Sequence, residues 1–217
     1  ERRQPLSIIS TISIGMLLKK EYGLLHDKEF RDNCIMIDNN VQFISKTIDN
    51  FRNFIDNDNN KKVFDLENAI EDFLNLVSAL ITNDHINIIL NLEKDIKING
   101  YENELSQCFI NIFNNARTAL NERKIEEKLI FITTSIEDNK VIITIKDNAQ
   151  GISEEIMNKL FEPYITTKHQ SQGIGLGLYI TYNLVVEKMN GAIDIVNTVF
   201  TYNNKKYNGV EVTITLP

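Results

Sequence analysis

The sequence has few cysteines and no long apolar run, and each of these absences excludes a class of protein. Its two cysteines, Cys34 and Cys108, have neither the spacing of a metal site nor that of a redox pair. Both fall on apolar faces of predicted helices, so we expect a reducing, cytoplasmic location rather than a disulfide-stabilised secreted fold. No apolar run is long enough to span a bilayer and no signal peptide is predicted, so we expect no membrane segment.

Positive charge is also scarce. Lys and Arg number 23 against 30 Asp and Glu, which gives a net charge of −7 and argues against nucleic acid or an anionic membrane as the main partner. The three histidines, His26, His85 and His169, lie in turns or polar stretches and are interpreted as surface residues. With 217 residues, 42% of them hydrophobic, the chain is long enough for one good core plus a helical element.

The most informative feature present is the glycine repeat GIGLGL at 173–178. Gly173, Gly175 and Gly177 lead through Leu178 into an apolar, helix-compatible run. Unpaired backbone N–H groups at a helix start suit a polyphosphate, but glycine also serves any tight turn, so the repeat alone leaves both interpretations open. The spacing matches neither the Rossmann nor the Walker pattern.

A second motif begins where an alternating, strand-like run at 141–146 is broken by Asp147. One interpretation is that Asp147 caps the following turn. The other is that Asp147 accepts a hydrogen bond from an adenine amine, while Gly151 lets the backbone approach the ring.

A third motif lies on a predicted helix over residues 102–122, whose apolar positions recur at helical spacing. Asn111 and Asn115 are four residues apart and therefore share one face, where their side-chain oxygens could address one cation. The alternative is that both are solvated, because the chain is rich in asparagine throughout.

Together these motifs resemble those of the sensor histidine kinase catalytic domain, in the superfamily that includes gyrase, the Hsp90 chaperone and MutL. The N box corresponds to 111–116, the G1 box to DNAQGI at 147–152, the F-box region to FEPYITTK at 161–168 and the G2 box to GIGLGL. The resemblance implies bound ATP and Mg²⁺. It implies that Asp147 reads adenine, that Asn115 with Asn111 binds Mg²⁺, and that the G2 glycines close over the triphosphate near Lys168.

Other features refine this resemblance. Gyrase, Hsp90 and MutL carry a glutamate base where this sequence has Asn111, so phosphoryl transfer is favoured over hydrolysis. Ala149 stands where glycine is commonest, and Val210 stands where a threonine often supports the adenine site. The segment 148–172, with a short helical stretch near 153–160, resembles a lid, and we expect it to be mobile without nucleotide.

The sequence ERRQPL at 1–6 resembles the H box of histidine kinases with its histidine missing. The resemblance implies an acceptor histidine immediately before Glu1. Glu1 would then draw a proton from the imidazole, and Gln4 would orient the water that removes phosphate from a partner response regulator.

Two helices are predicted in this part, from near Pro5 to about Glu21 and from about Asp27 to Phe54. Two helices bury little surface, so we expect a homodimer with a four-helix bundle; the alternative is a hairpin packed on its own catalytic domain. The predicted fold is α+β, with a helical domain at 1–58 followed by a Bergerat-type α/β sandwich at 59–217. Residues 56–62 are interpreted as a polar hinge.

The leading hypothesis is the cytoplasmic core of a sensor histidine kinase, either soluble or part of a membrane-bound sensor. It would bind Mg-ATP, phosphorylate a histidine and pass the phosphate to an aspartate of a response regulator. The alternatives are an ATPase of the same superfamily and a non-catalytic, dimerising scaffold that binds nucleotide.

Overall fold

A computed structural model describes residues 4–38, 41, 61–165 and 175–217, which fall into two compact units. The first unit contains α1 (Gln4–Glu21) and α2 (27–38, with residue 41 also helical). Gly23 adopts a positive φ of 67° after α1, and the N–H of Leu24 donates to the carbonyl of Lys19 at 2.7 Å, which ends the helix in the usual glycine-dependent way. An ion pair between Lys19 and Glu29 joins the two helices.

Both predicted helices of this unit are present in the described residues. The predicted extension of the second helix to Phe54 lies outside them, and the dimeric four-helix bundle stays a prediction. Many large apolar side chains of the unit are exposed, among them Ile14, Leu17, Leu18, Leu24, Phe30 and Ile35.

The second unit is an α+β domain, as predicted. Its elements in chain order are β1 (Lys62–Asp65), α3 (Leu66–Asn83), β2 (Ile86–Leu92), β3 (Lys97–Gly100), α4 (Glu102–Glu122), β4 (Lys128–Glu137), β5 (Lys140–Asp147), α5 (Glu154–Met157), α6 (Gly177–Tyr182), a π-helical continuation (Asn183–Lys188), β6 (Ala192–Tyr202) and β7 (Lys205–Leu216).

Five strands form one mixed sheet in the order β2-β4-β5-β7-β6, in which only the β2–β4 pair is parallel. The β4–β5 and β6–β7 hairpins turn through two-residue loops, 138–139 and 203–204, in which every residue has a positive φ. Asp and Asn tolerate that conformation, and such turns match the twist of paired strands. A separate two-stranded sheet pairs β1 with β3.

The core lies between one face of the large sheet and the helices. α4 buries a continuous stripe that consists of Leu105, Cys108, Phe109, Ile112, Phe113, Ala116 and Leu120. Phe73 of α3 packs its ring against Phe109 and Phe113, while alternate residues of the strands, such as Ile143 of β5, face the helices from the sheet. This packing fixes α4 against β5, the two elements that carry the N box and the G1 box.

The structure departs from the predicted elements in two places. Lys62, assigned to a polar hinge, begins β1, because Phe64 is buried and the strand pairs with β3. The alternating apolar pattern predicts the last strand only over 210–216, but β7 starts at Lys205, since residues 205–209 continue the hairpin ladder with β6. The predicted short helix within the lid segment is present as α5.

Candidate nucleotide site

Asp147 is the last residue of β5 and one of the few buried charged side chains among the described residues, with 7% of its surface exposed. Its Oδ1 accepts hydrogen bonds from the N–H of Ala149 at 2.7 Å and the N–H of Val210 at 3.3 Å. Burial raises the pKa of this carboxyl, although the two N–H donors and the charge of Arg123 oppose the rise. Both hydrogen bonds described for the carboxylate use one oxygen, so Oδ2 has no donor among the described residues.

Gly209 of β7 packs against the backbone of Asp147. A Cβ at position 209 would lie 1.7 Å from the carbonyl oxygen of Asp147, so no other residue fits there. This close approach brings the N–H of Val210 within reach of the carboxylate. Val210 therefore supports Asp147 through its main chain, although its side chain lacks the hydroxyl of the threonine that is common at this position.

The turn that follows Asp147 is held at its entry by Asn148. Its Oδ1 accepts from the N–H of Leu129 at 2.9 Å and its Nδ2 donates to the carbonyl of Glu127 at 2.7 Å. The amide thus continues the strand pairing of β5 with β4 beyond Asp147. Further along the turn, the N–H of Gln150 donates to the carbonyl of Asn208 at 3.0 Å, and Gly151 has a φ of 85°.

Asn111 connects α4 to the start of α6. Its Nδ2 lies 3.2 Å from the carbonyl oxygen of Gly177 and 3.3 Å from Oγ1 of Thr181, while its Oδ1 accepts from Gln107 at 3.1 Å. Thr181 is fully buried and its hydroxyl also donates to Gly177. The Asn111 amide is therefore bonded within the protein. Asn115 lies half-buried one turn further along the helix.

Two glycines of the G2 motif, Gly175 and Gly177, are described, and Gly177 is the one that Asn111 and Thr181 bond. Gly175 has a φ of 67°, and a Cβ there would lie 2.5 Å from the carbonyl oxygen of Ile165; its own carbonyl accepts from the N–H of Tyr164 at 2.9 Å. Gly177 begins α6 and Leu178 is half-buried within it. Glu1, Lys168 and Gly173 lie outside the described residues, and Gln4 begins α1, in the other unit.

Two further contacts escaped sequence reasoning. Buried Glu104 of α4 forms an ion pair with Lys188 at the end of the π-helical segment, so that segment is tied to α4 at its far end as well. Asn197 of β6 bonds the main chain of Ile152. The partners are 84 and 45 residues apart, and no local pattern signals such distant pairs.

A buried carboxylate beside a glycine-containing turn, an asparagine-bearing helix and a glycine-rich helix start define an α/β nucleotide-binding domain. The family model described as histidine kinase-, DNA gyrase B- and HSP90-like ATPase matches residues 100–217. The chain belongs to this ATP-binding family, and the resemblance to sensor histidine kinases is confirmed.

Relatives and solved structures agree. Sporulation kinase A of Bacillus subtilis is 38% identical over 140 residues, which cover 59% of this chain and 22% of that protein. Sporulation kinase B of the same organism is 31% identical over 72% of this chain and 34% of its own length, so the chain spans about a fifth to a third of these relatives. The catalytic domain of histidine kinase ThkA superposes with a TM-score of 0.59 and 26% identity over 72% of this chain and 95% of that domain.

The fold is also similar to that of ThkA solved in complex with the response regulator protein TrrA, with a TM-score of 0.68 at 20% identity over 99% of this chain and 58% of that one. Among the described residues, no helix combines the length and apolar character that crossing a bilayer requires.

Proposed function

We propose that this chain is the ATP-binding and phosphotransfer core of a sensor histidine kinase. The observation that carries the proposal is Asp147, a buried carboxylate with Oδ1 fixed by two main-chain donors and Oδ2 without a donor among the described residues. No buried side-chain nitrogen or oxygen among the described residues lacks a hydrogen-bond partner, so Oδ2 is accessible from outside, and the exocyclic amine of adenine is a donor of the right kind. Gly151, at the same turn, would let the backbone approach the ring through its positive φ of 85°.

The phosphates would extend from this turn towards Gly173, Gly175 and Gly177, with Leu178 behind them and Lys168 near the terminal phosphate. Mg²⁺ binds few protein ligands and prefers amide or carboxylate oxygens together with phosphate oxygens. Asn115 fits that role, and Asn111 would contribute mainly by holding α6 through its amide, with the second lone pair of Oδ1 available to the ion. When bound, Mg²⁺ would neutralise charge on the phosphates.

Asn111 also bears on which reaction follows. Its amide cannot accept a proton and is bonded to Gly177, Thr181 and Gln107, so it does not activate a water molecule. The γ-phosphate is then left for another nucleophile. We propose that this nucleophile is a histidine preceding Glu1, that Glu1 takes its proton, and that Gln4 acts in dephosphorylating the response regulator that receives the phosphate.

The helical part would serve as the phosphoacceptor and dimerisation domain, residues 1–58, with the catalytic domain at 59–217. The exposed apolar residues of α1 and α2 support pairing with a second copy, because contiguous exposed apolar surface on a soluble domain usually marks an interface. Two hairpins would form a four-helix bundle.

The proposal is tested with γ-labelled ATP and Mg²⁺ on the chain extended by a histidine before Glu1, with alanine at the added position as the matched control. Acid-labile label on the histidine form alone, lost with Asp147→Asn, is the expected result. Nucleotide binding without label in either form would contradict phosphotransfer and favour a scaffold, and steady phosphate release would favour an ATPase.

A further inference from the structure

Asn197 lies on β6, the edge strand of the large sheet, and uses both ends of its amide on one residue. Its Oδ1 accepts from the N–H of Ile152 at 2.7 Å, and its Nδ2 donates to the carbonyl of Ile152 at 2.8 Å. The side chain therefore pairs with the main chain of residue 152 as a neighbouring strand would. It is itself exposed, so it contributes little to the core.

The same amide occupies the space beside Gly151. With a φ of 85°, Gly151 is in a conformation that side chains rarely adopt, and a Cβ there would lie 2.7 Å from Oδ1 and 3.1 Å from Cγ of Asn197. Asn197 thus leaves no room for a side chain at 151 and holds the backbone at 152 by hydrogen bonds.

The turn after Asp147 is consequently braced at three points. Asn148 holds its entry to β4, the Gln150 N–H holds its middle to β7, and Asn197 holds its exit to β6. The exit lies within the described part of the lid segment, two residues before α5.

We infer that Asn197 is a positioning residue for nucleotide binding, which fixes Gly151 and Ile152 so that the turn keeps the shape adenine requires. This inference rests on the proposed nucleotide site. Asn197 acts through the backbone and is not itself expected to touch the nucleotide. Removing it frees the exit of the turn, and part of the binding free energy is then spent on ordering that backbone.

The first test measures the Kd of trinitrophenyl-ATP with Mg²⁺ for the chain and for Asn197→Ala. We expect an increase of about tenfold, the effect of losing one to two hydrogen bonds that hold the backbone in place, with little change in Tm. Asn91→Ala is the matched control, because Asn91 is exposed on β2, the opposite edge strand, and should leave both values unchanged.

A double-mutant cycle separates positioning from a general structural effect. Gly151→Ala should weaken binding, since its Cβ collides with Asn197. In the Asn197→Ala background that collision is gone and only the φ strain remains, so the combined loss should be smaller than the product of the two single losses. A combined loss equal to that product would overturn the inference.

Hydrogen exchange at the Ile152 amide, measured without nucleotide, keeps the inference distinct from the proposed function. Exchange should be faster in Asn197→Ala than in the parent and the Asn91→Ala control. If the parent fails to bind the analogue, the proposed function fails. If the parent binds, and Asn197→Ala matches it in both Kd and Ile152 exchange, the inference fails while the proposed function stands.

Discussion

Two buried carboxylates of the second unit, Glu104 and Asp147, have opposite surroundings. They are the only charged side chains that are buried among the described residues, at 2% and 7% exposed. Glu104 has a cationic partner in Lys188. Asp147 has no cation within hydrogen-bonding distance among the described residues and is met by two main-chain N–H groups.

The difference supports the proposal that Asp147 serves a ligand, whereas Glu104 serves the fold. A buried charge is costly unless it is paired, so the ion pair of Glu104 is explained by the packing of α4 on the π-helical segment. Asp147 is only partly compensated, and burial raises its pKa. Incompletely satisfied groups with perturbed pKa values cluster at functional sites. Opposite responses to mutation follow for the two acids.

The largest expected effect is on stability, from Lys188→Met. The substitution keeps the apolar stem but leaves Glu104 buried without its partner, which should lower the free energy of unfolding by about 3 kcal/mol. Denaturant unfolding measures it.

Lys140→Met is the matched control, because Lys140 is exposed at the start of β5, and it should change stability little. Adding Glu104→Gln to Lys188→Met removes the unpaired charge and should restore part of the loss. A Lys188→Met variant as stable as the parent would mean that the pair contributes nothing, and the contrast with Asp147 would fail.

The next largest effect is on binding, from Asp147→Asn. The amide oxygen can still accept from Ala149 and Val210, but in the proposed site the new NH₂ group would face the adenine amine, donor against donor. We expect the Kd for trinitrophenyl-ATP to rise about 100-fold, or about 2.7 kcal/mol. Because a buried charge is removed, the Tm without nucleotide should stay the same or rise.

Calorimetry and equilibrium binding on one preparation decide this prediction. The informative result is the opposite sign of the two changes: weaker binding together with equal or greater stability. A large fall in Tm would show that Asp147 serves the fold, as Glu104 does, and unchanged affinity would remove Asp147 from the proposed site.

The sequence predicts the importance of Asp147 but not the ion pair of Glu104. Asp147 is found because it ends an alternating strand and opens a motif, both of which are local signals. The partner of Glu104 is 84 residues away, and nothing local indicates that Lys188 reaches it. The Asn111 amide was predicted as a cation ligand, yet its bonds to Gly177 and Thr181 depend on how α6 packs on α4.

The elements of the fold were likewise predicted where the signal is local and missed where it depends on distant pairing. The helix at 102–122 and the strand at 141–146 were predicted because their apolar residues recur with the period of the element. β1 and the first half of β7 were not, since their sequences are short or polar and they form only by pairing with β3 and β6. The side chains of Asn148 and Asn197 bond the main chain at the two ends of one turn. In an asparagine-rich sequence, nothing distinguishes these two asparagines from solvated ones.

A smaller effect is expected from Asp84, a partly exposed acid that, like Glu104, has a cationic partner. Its Oδ2 accepts from Arg117 and, at 2.9 Å, from Asn121. Burial alone would raise the pKa of Asp84, but these hydrogen bonds and the positive charges outweigh it and lower the pKa. Asp84→Asn should lower the free energy of unfolding by about 1 kcal/mol, since exposure screens the pair. Its Kd for trinitrophenyl-ATP should equal that of the parent, and a change in Kd would contradict its separation from the site.

The smallest effects are the pH dependences of these two aspartate variants relative to the parent. The ordinary pKa of each carboxyl is 3.8. The lowered pKa of folded Asp84 stabilises the parent above 3.8, and this contribution is lost as the pH falls through the folded value. The raised pKa of folded Asp147 acts in the opposite direction, because stability present below 3.8 is lost as the pH rises through the folded value. At pH 7 the Tm of Asp84→Asn should therefore lie below the parent's and that of Asp147→Asn at or above it. The Asp147→Asn difference should shrink as the pH falls through the raised folded pKa of Asp147 towards 3.8, and the Asp84→Asn difference as the pH falls below 3.8. Thermal unfolding across pH 3 to 7 would contradict the assignment of the two acids if both variants departed from the parent with the same sign.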